Sequence, residues 1–125
     1  MIIYVDIDET ICTTNEGRNY ASALPLNDRI ARINKLFDEG HHIIYWTARG
    51  STTGIDWTDI TAEQFVLWKV KCHELRMGKP QYDLFIDDKN INSDTFFSDK
   101  PTEYIKSNEV IQTAHIEGLG RVLLD

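Results

Sequence analysis

The order of apolar and polar positions predicts strands that alternate with helices. Short apolar runs, rich in β-branched and aromatic side chains, occur at residues 2–5, 41–46 and 82–86. Runs of this length and composition are typical of strands buried on both faces of a parallel sheet. The sequence therefore predicts three parallel strands.

Two segments between these runs have apolar residues at helical spacing. The first helix is predicted to open at Pro25 and to stop at Gly40, because proline suits a first turn and glycine suits a helix end. Its apolar stripe is Leu26, Ile30, Ile33 and Phe37. The second helix is predicted to begin at Thr61 and to end at Gly78. Its apolar stripe is Phe65, Trp68, Cys72 and Leu75.

Strand and helix alternation of this kind builds βαβ units. We therefore expect an α/β fold, a Rossmann-like three-layer sandwich with a central parallel sheet, and one domain over residues 1–125. The C-terminal part carries weaker signals. Phe96 and Phe97 are predicted core anchors, a short helix is predicted at Pro101, and residues 105–116 fit either a helix or a strand. The apolar tail fits docking on its own domain or on a second subunit.

The composition narrows the classes of partner. A chain of 125 residues with 42% hydrophobic and 26% charged residues is ordinary for a globular domain. The net charge of −7 makes nucleic acid an unlikely partner, since nucleic-acid binders need a basic face, but it permits a small anionic substrate. No apolar run has transmembrane length and no signal peptide is recognised, so we expect no membrane partner and a cytoplasmic location.

The two cysteines are predicted to be free thiols. Cys12 and Cys72 form no metal-binding pair, and disulfides are rare in the cytoplasm. Cys12 follows the acidic residues that close the first strand. It is either a small buried apolar residue or a neighbour of a functional site.

Carboxylates close the first predicted strand. Asp6 and Asp8 are two residues apart, so their side chains point to the same side of an extended chain. Two semi-buried carboxylates repel each other unless a cation lies near them. Their alternative role is that of turn or N-cap acids at the strand end. The polar loop at residues 11–24 follows them and is placed either to contact a substrate or to serve as a solvated connection.

The other two predicted strands also end in polar residues. Thr47, Ala48 and Arg49 offer a hydroxyl, backbone amides and a guanidinium, which suit an anion. If these residues bind no anion, Thr47 is an N-cap or turn residue and Arg49 is a surface charge. The third strand ends in Asp87 and Asp88.

Lys79 precedes the third predicted strand, and its distance from the strand end is the difficulty. An extended chain rises about 3.3 Å per residue, which places Lys79 too far from Asp87 along the strand. Lys79 contributes only if its loop folds over the strand ends or its side chain reaches back.

The carboxyl ends of parallel strands share one edge of a sheet, which is where such sheets bind ligands. Four carboxylates at that edge require a divalent cation, and all-oxygen ligands favour Mg²⁺. A threonine hydroxyl, backbone amides and one lysine would complete a site for phosphoryl chemistry.

These positions together resemble the motifs of the haloacid dehalogenase superfamily of phosphohydrolases. Asp6-Ile7-Asp8-Glu9-Thr10 matches its first motif, and Thr47 after an apolar strand matches its second. Lys79 in Gly78-Lys79-Pro80 matches the third motif, and Ile86-Asp87-Asp88 matches the fourth. The resemblance covers residues 1–90 and implies a haloacid dehalogenase-like domain. The superfamily often inserts a cap domain after the first or second motif, but one loop and one helix fill each of these intervals here, so we expect no cap domain.

The resemblance implies an aspartyl-phosphate mechanism. Asp6 would be the nucleophile, and Asp8 the general acid and base. Lys79 would neutralise the phosphate and Asp6, Thr47 and the Ala48 amide would hold phosphate oxygens, and Arg49 would contact substrate. The implied Mg²⁺ ligands are Asp6, Asp8, Asp87 and Asp88.

The segment Gly78 to Lys89 also looks like small members of the superfamily from capsule and lipopolysaccharide biosynthesis, which implies a sugar phosphate or related metabolite as substrate. Without a cap the site would be open, and a large substrate, a loop or a second subunit of a homo-oligomer would cover it.

Other functions stay open at this point. A receiver-like interaction module uses similar residues but places its acidic pair on the first strand, an order that this chain reverses. A catalytically silent relative would have no use for Asp8. A nucleic-acid 3′-phosphatase has the same chemistry, and the acidic net charge argues against it.

Overall fold

A computed structural model describes residues 1–15, 17 and 19–98 of the chain. It comprises two units, Met1–Asp87 and a second that begins at Asp88. The prediction of one domain over residues 1–125 stays a prediction. The helix predicted at Pro101, the element at 105–116 and the apolar tail lie outside the described residues.

The described residues of the first unit form five strands and three helical segments. The strands are β1 (Ile2–Val5), β2 (Cys12–Thr13), β3 (Leu24–Pro25), β4 (His42–Trp46) and β5 (Glu74–Arg76). The helical segments are a 3-10 helix (Tyr20–Ser22), α1 (Asn27–Asp38) and α2 (Thr58–Leu67). The second unit contains α3 (Ser93–Ser98), where the half-buried rings of Phe96 and Phe97 lie 5.1 Å apart.

A parallel sheet with the order β1-β4-β5 forms the centre of the first unit. Ile3 pairs with Ile43, and Tyr45 pairs with Leu75. β2 and β3 form a separate antiparallel pair, in which Cys12 lies opposite Pro25. A parallel sheet flanked by helices is a small Rossmann-like α/β fold, so the predicted fold class is confirmed. No helix within the described ranges is both long and apolar enough to cross a membrane.

The core lies between α1 and the sheet. Ile30, Ile33 and Leu36 form the buried face of α1, and α1 contacts β4. Ile30 and Ile33 belong to the predicted apolar stripe, whereas Leu36 is buried in place of Phe37, which is half-buried. The helix begins at Asn27 and not at Pro25, because Pro25 is part of β3. The predicted burial of the first strand on both faces is wrong, since Ile2 is 72% exposed and Val5 only 7%.

The second helix ends much earlier than its apolar stripe predicted. α2 ends at Leu67, and Lys69 has a φ of 59°, a left-handed conformation that stops a helix. The Asn34 side chain of α1 then holds the turn, since it donates to the Lys69 carbonyl and accepts from the Lys71 amide, both at 2.8 Å. The chain therefore turns back towards the sheet, where helix was predicted up to Gly78.

The third strand is also not where the sequence predicted it. Residues 82–86 form no strand, and Leu84 and Ile86 are 76% and 89% exposed. β5 instead pairs with the edge of β4, through Leu75 and its neighbours. The prediction that Asp87 and Asp88 close a strand of the sheet is therefore wrong.

Candidate active site

Asp6 and Asp8 lie on a tight turn that the core anchors. The carbonyl of Ile7 accepts hydrogen bonds from the amides of Thr10 at 3.1 Å and Ile11 at 2.9 Å. Ile7 and Ile11 are fully buried, so the turn is fixed from below. Its tightness also forces Glu9 into a left-handed conformation with a φ of 60°. Two carboxylates are therefore held at the carboxyl end of β1.

Lys79 pairs with Asp6. Its Nζ lies 3.4 Å from Oδ1 of Asp6, whose Oδ2 accepts a hydrogen bond from the Thr10 hydroxyl at 3.3 Å. The Lys79 backbone is held by the end of β4, because its amide donates to the Thr47 carbonyl at 3.0 Å and its carbonyl accepts from the Ser51 hydroxyl at 2.6 Å.

The position of β5 explains why Lys79 can reach Asp6. β5 ends at Arg76, so Lys79 follows the third strand of the sheet instead of preceding it. The lysine therefore begins at the same edge of the sheet as Asp6. The sequence placed Lys79 too far from the strand end at Asp87 because it predicted the third strand at residues 82–86, after the lysine.

Arg49 pairs with Asp8. The guanidinium donates from Nη2 to Oδ1 at 2.9 Å and from Nε to Oδ2 at 3.0 Å. The Arg49 side chain is completely buried, whereas that of Asp8 is 21% exposed. Each carboxylate of the turn therefore has a cationic partner, which offsets the repulsion between them.

Thr47 and Ala48 lie where β4 ends. Thr47 is 1% exposed, and its hydroxyl oxygen accepts a hydrogen bond from the Arg49 amide at 3.1 Å. This is the capping role left open by the sequence, and the hydroxyl proton can still be donated. The predicted phosphate contacts of Thr47 and Ala48 stay predictions.

A cavity of about 240 Å³ joins most of the predicted site residues. Asp6, Asp8, Ala48, Arg49 and Lys79 all line it. Asp87 is not among the described residues that do so, and Asp88 belongs to the second unit. The wall of this cavity also contains Tyr20, Gln81 and Tyr82. The polar loop after the acids was a signal for Tyr20, but no motif pointed to the other two.

A second cavity of about 630 Å³ has Tyr20, Ala48 and Gln81 in common with the first. Its described wall combines aromatic rings with uncharged polar groups. It includes Asn19, Tyr20, Thr52, Thr53, Trp57 and Gln81. The rings of Tyr20 and Trp57 meet edge to face with their centroids 5.0 Å apart. The two cavities therefore lie next to each other.

Cys12 lies beneath the site as a neutral thiol. It is fully buried, and its Sγ lies 3.4 Å from Oδ1 of Asp8 and 3.7 Å from Nη2 of Arg49. Burial, followed by the negative charge of Asp8, raises the pKa of the Cys12 thiol to about 12. Both possibilities left by the sequence are therefore true together, since Cys12 is buried and borders the site.

The cavity offers donors that suit Mg²⁺ only in part. This ion is commonly bound by one or two carboxylates, by water and by a substrate phosphate. The Asp6 side chain is 39% exposed and can supply one such carboxylate. Among the described residues, no three His, Cys, Asp or Glu side chains are grouped to hold a metal. The contributions of Asp87 and Asp88 stay predictions.

Comparison with solved structures found a similar fold. The fold is similar to the crystal structure of a structural-genomics target from Vibrio cholerae, with a TM-score of 0.73 and 26% sequence identity. The match covers 89% of this chain and 99% of that one. No family model and no curated protein matches the sequence. The structural match is consistent with the α/β fold.

Proposed function

We propose that the protein is a Mg²⁺-dependent phosphohydrolase of the haloacid dehalogenase type, which acts through a phosphorylated Asp6. The observation that carries this proposal is the arrangement of Asp6 and Asp8 in one cavity, the first beside Lys79 and the second held by Arg49. Two carboxylates in different environments suit two different roles in one reaction.

The residues support a two-step reaction. A carboxylate oxygen of Asp6 attacks phosphorus, and the bond to the leaving oxygen breaks as Asp8 gives that oxygen a proton. Water then attacks the phosphorus of phospho-Asp6 while Asp8 takes its proton. The bond between phosphorus and the Asp6 oxygen breaks, which releases phosphate and leaves Asp6 ionised and Asp8 protonated, as they were before the first step.

Lys79 supports the same reaction through its charge. Its Nζ, 3.4 Å from Asp6, is close enough to donate a hydrogen bond to the oxygens of a phosphoryl group that Asp6 attacks. A fixed cation at that place stabilises the charge that develops in the transition state. Mg²⁺, held by Asp6 and the Asp8 carbonyl with Asp87 and Asp88 as the further predicted ligands, would supply additional charge neutralisation when bound.

The second cavity supports a sugar phosphate or a related metabolite as the substrate. Its described wall offers aromatic rings for the apolar face of a sugar, and amide and hydroxyl groups for its hydroxyls. The net charge of −7 argues against a nucleic-acid substrate. A cytoplasmic location and a homo-oligomer that covers the open site complete the proposal.

Phosphate release from a panel of substrates tests this function. The panel contains sugar phosphates, nucleotides and 3′-phosphorylated oligonucleotides, each measured with Mg²⁺ and with EDTA. We expect metal-dependent release from sugar phosphates and none from the Asp6→Asn variant. Asp59→Asn, the same exchange on the exposed side of α2, is the matched control and should keep full activity. Release from Asp6→Asn at the normal rate would exclude the proposed nucleophile.

A catalytically silent binding protein is the second candidate. Such a protein would bind sugar phosphates without turnover. Binding with no phosphate release from any member of the panel would favour it over the phosphohydrolase.

A further inference from the structure

Arg49 was predicted to contact substrate, but its side chain is fully buried and its hydrogen bonds go to protein groups. We propose that Arg49 is a positioning residue, which fixes the Asp8 carboxylate for proton transfer and does not itself bind the phosphate. This inference rests on the proposed function, because it assigns how Asp8 is held in that reaction.

The geometry of the ion pair fixes the plane of the carboxylate. Nη2 and Nε of Arg49 approach the two carboxylate oxygens at 2.9 and 3.0 Å, the parallel arrangement of a two-pronged guanidinium pair. Two parallel hydrogen bonds restrain rotation of the carboxyl group, which a single contact would permit. Asp8 therefore presents a defined edge to the cavity.

The other side of the guanidinium is fixed by α2. Nη1 donates to the Gln64 Oε1 at 2.6 Å and to the Thr61 hydroxyl at 3.0 Å. The remaining Nη2 proton faces the Cys12 sulfur at 3.7 Å. Since a guanidinium has five N–H groups, these contacts and the two to Asp8 use all of them. A substrate phosphate would have to displace one of these protein acceptors.

The same network reaches the wall of the second cavity. The Tyr20 ring lies 4.9 Å from the Arg49 guanidinium carbon, and the Tyr20 carbonyl accepts from Nε2 of Gln64 at 2.6 Å. Gln64 thus connects Tyr20, which lines both cavities, to the guanidinium that holds Asp8. Asp8, Arg49 and α2 behave as one unit that faces the leaving group.

A double-mutant cycle separates positioning from direct phosphate binding. Asp8→Asn is expected to slow turnover of a sugar phosphate by about 10²–10⁴-fold, the usual contribution of general acid–base catalysis. Arg49→Met is expected to slow it by about 10²-fold in the parent protein. In the Asp8→Asn background it should add less than about 3-fold, because residues that act as one unit are not additive. If the double variant instead lost turnover by the product of the two single losses, the proposal would be overturned.

The dependence on the leaving group provides a readout that a general loss of structure would not change. An aryl phosphate releases a group that departs without a proton, so proton transfer from Asp8 matters less. Arg49→Met should therefore lose about tenfold or less with an aryl phosphate, against about 10²-fold with the sugar phosphate. Equal losses with both substrates would overturn the proposal.

Further variants control for folding. Asn34→Ala removes the tether between α1 and the turn after α2, so it tests destabilisation away from Arg49 and should leave the leaving-group dependence unchanged. Where Arg49→Met does not fold, Gln64→Leu frees one side of the guanidinium while the pair with Asp8 remains. The activity that Gln64→Leu loses in the parent protein should not be lost in the Asp8→Asn background. A further loss of activity in that background would overturn the proposal.

The cycle distinguishes the two proposals from each other. No turnover by the parent protein would overturn the proposed function, and the role of Arg49 with it. Turnover that requires Asp6, together with multiplied losses from Arg49 and Asp8, would overturn the positioning role alone.

Discussion

The ammonium group of Lys79 lies 3.4 Å from Oδ1 of Asp6, and backbone contacts with the end of β4 hold the lysine there. The amide of Lys79 donates to Thr47, and its carbonyl accepts from Ser51. The Lys79 side chain is only 16% exposed, so its charge is partly withdrawn from water. A fixed charge of this kind acts more strongly than a mobile surface lysine.

Loss of the Lys79 charge should reduce catalysis far more than stability. We expect Lys79→Met to lower kcat/KM by about 10²–10³-fold, the usual effect of removing one fixed donor at a developing charge. Lys71→Met is the matched control, because Lys71 pairs with Asp38 on the exposed surface at 2.8 Å and such pairs contribute little. Steady-state kinetics measure the effect, and equal activities of the two variants would remove Lys79 from the site.

The turn after Arg49 should tolerate no side chain at Gly50. A Cβ there would overlap the Ile55 carbonyl oxygen, and Gly50 has a φ of 81°. Gly54 has a φ of 78° but open space around it, so Gly54→Ala carries the backbone cost alone, about 1–2 kcal/mol. We expect urea denaturation to show a larger loss of stability for Gly50→Ala than for Gly54→Ala. Equal losses would show that the overlap has no effect.

The buried hydroxyl of Tyr45 should destabilise the fold. Tyr45 is completely buried, and its hydroxyl has no hydrogen-bond partner among the residues that the structure describes. A buried polar group without a partner costs about 1–3 kcal/mol. Tyr45→Phe keeps the ring, which meets Phe65 edge to face at 5.0 Å. We expect this variant to unfold at higher urea concentration than the parent, and a clear loss of stability would contradict the structure.

The buried thiol of Cys12 should make stability fall in alkaline solution. Burial raises the pKa of Cys12 from 9.0 to about 12, so above pH 9 the unfolded chain loses a proton that the folded chain keeps. Unfolding then becomes more favourable as pH rises from about 9 towards 12, by at most about 1.4 kcal/mol per pH unit. Measurements use Tyr45→Phe as the background, since the pKa of Tyr45 is also raised by burial.

Cys12→Ala in that background removes the titrating thiol. We expect the free energy of unfolding to depend less on pH between 9 and 12 in this variant than in its parent. The same dependence in both proteins would show that the Cys12 pKa is not raised by the fold.

The elements that local pattern determines were predicted correctly. β1, β4 and most of α1 follow from apolar runs and an apolar stripe, and the parallel arrangement follows from their alternation. Asp6, Asp8, Arg49 and Lys79 were chosen for their chemistry at or near strand ends, and the structure places them around one cavity. The roles assigned to them stay predictions.

The errors arise where contacts distant in sequence decide the structure. The apolar stripe continued to Leu75, but Asn34 holds the turn at Lys69 and Lys71, and no local signal announces that tether. The apolar character of residues 82–86 predicted a strand, whereas the edge of β4 pairs with β5. The hydrogen bonds from Arg49 to α2 could not be predicted for the same reason. In a sequence, an arginine cannot be told from a surface charge until its neighbours in space are known.

Trapping phosphorylated Asp6 would test the proposed reaction directly. The protein is mixed with a sugar phosphate that it hydrolyses, quenched in acid during turnover and digested, and the peptides are analysed by mass spectrometry. We expect one phosphoryl group on the peptide that contains Asp6, located on Asp6 by fragmentation and absent from the Asp6→Asn variant. A phosphoryl group on another residue would contradict the role of Asp6 as the nucleophile. So would continued turnover by Asp6→Asn.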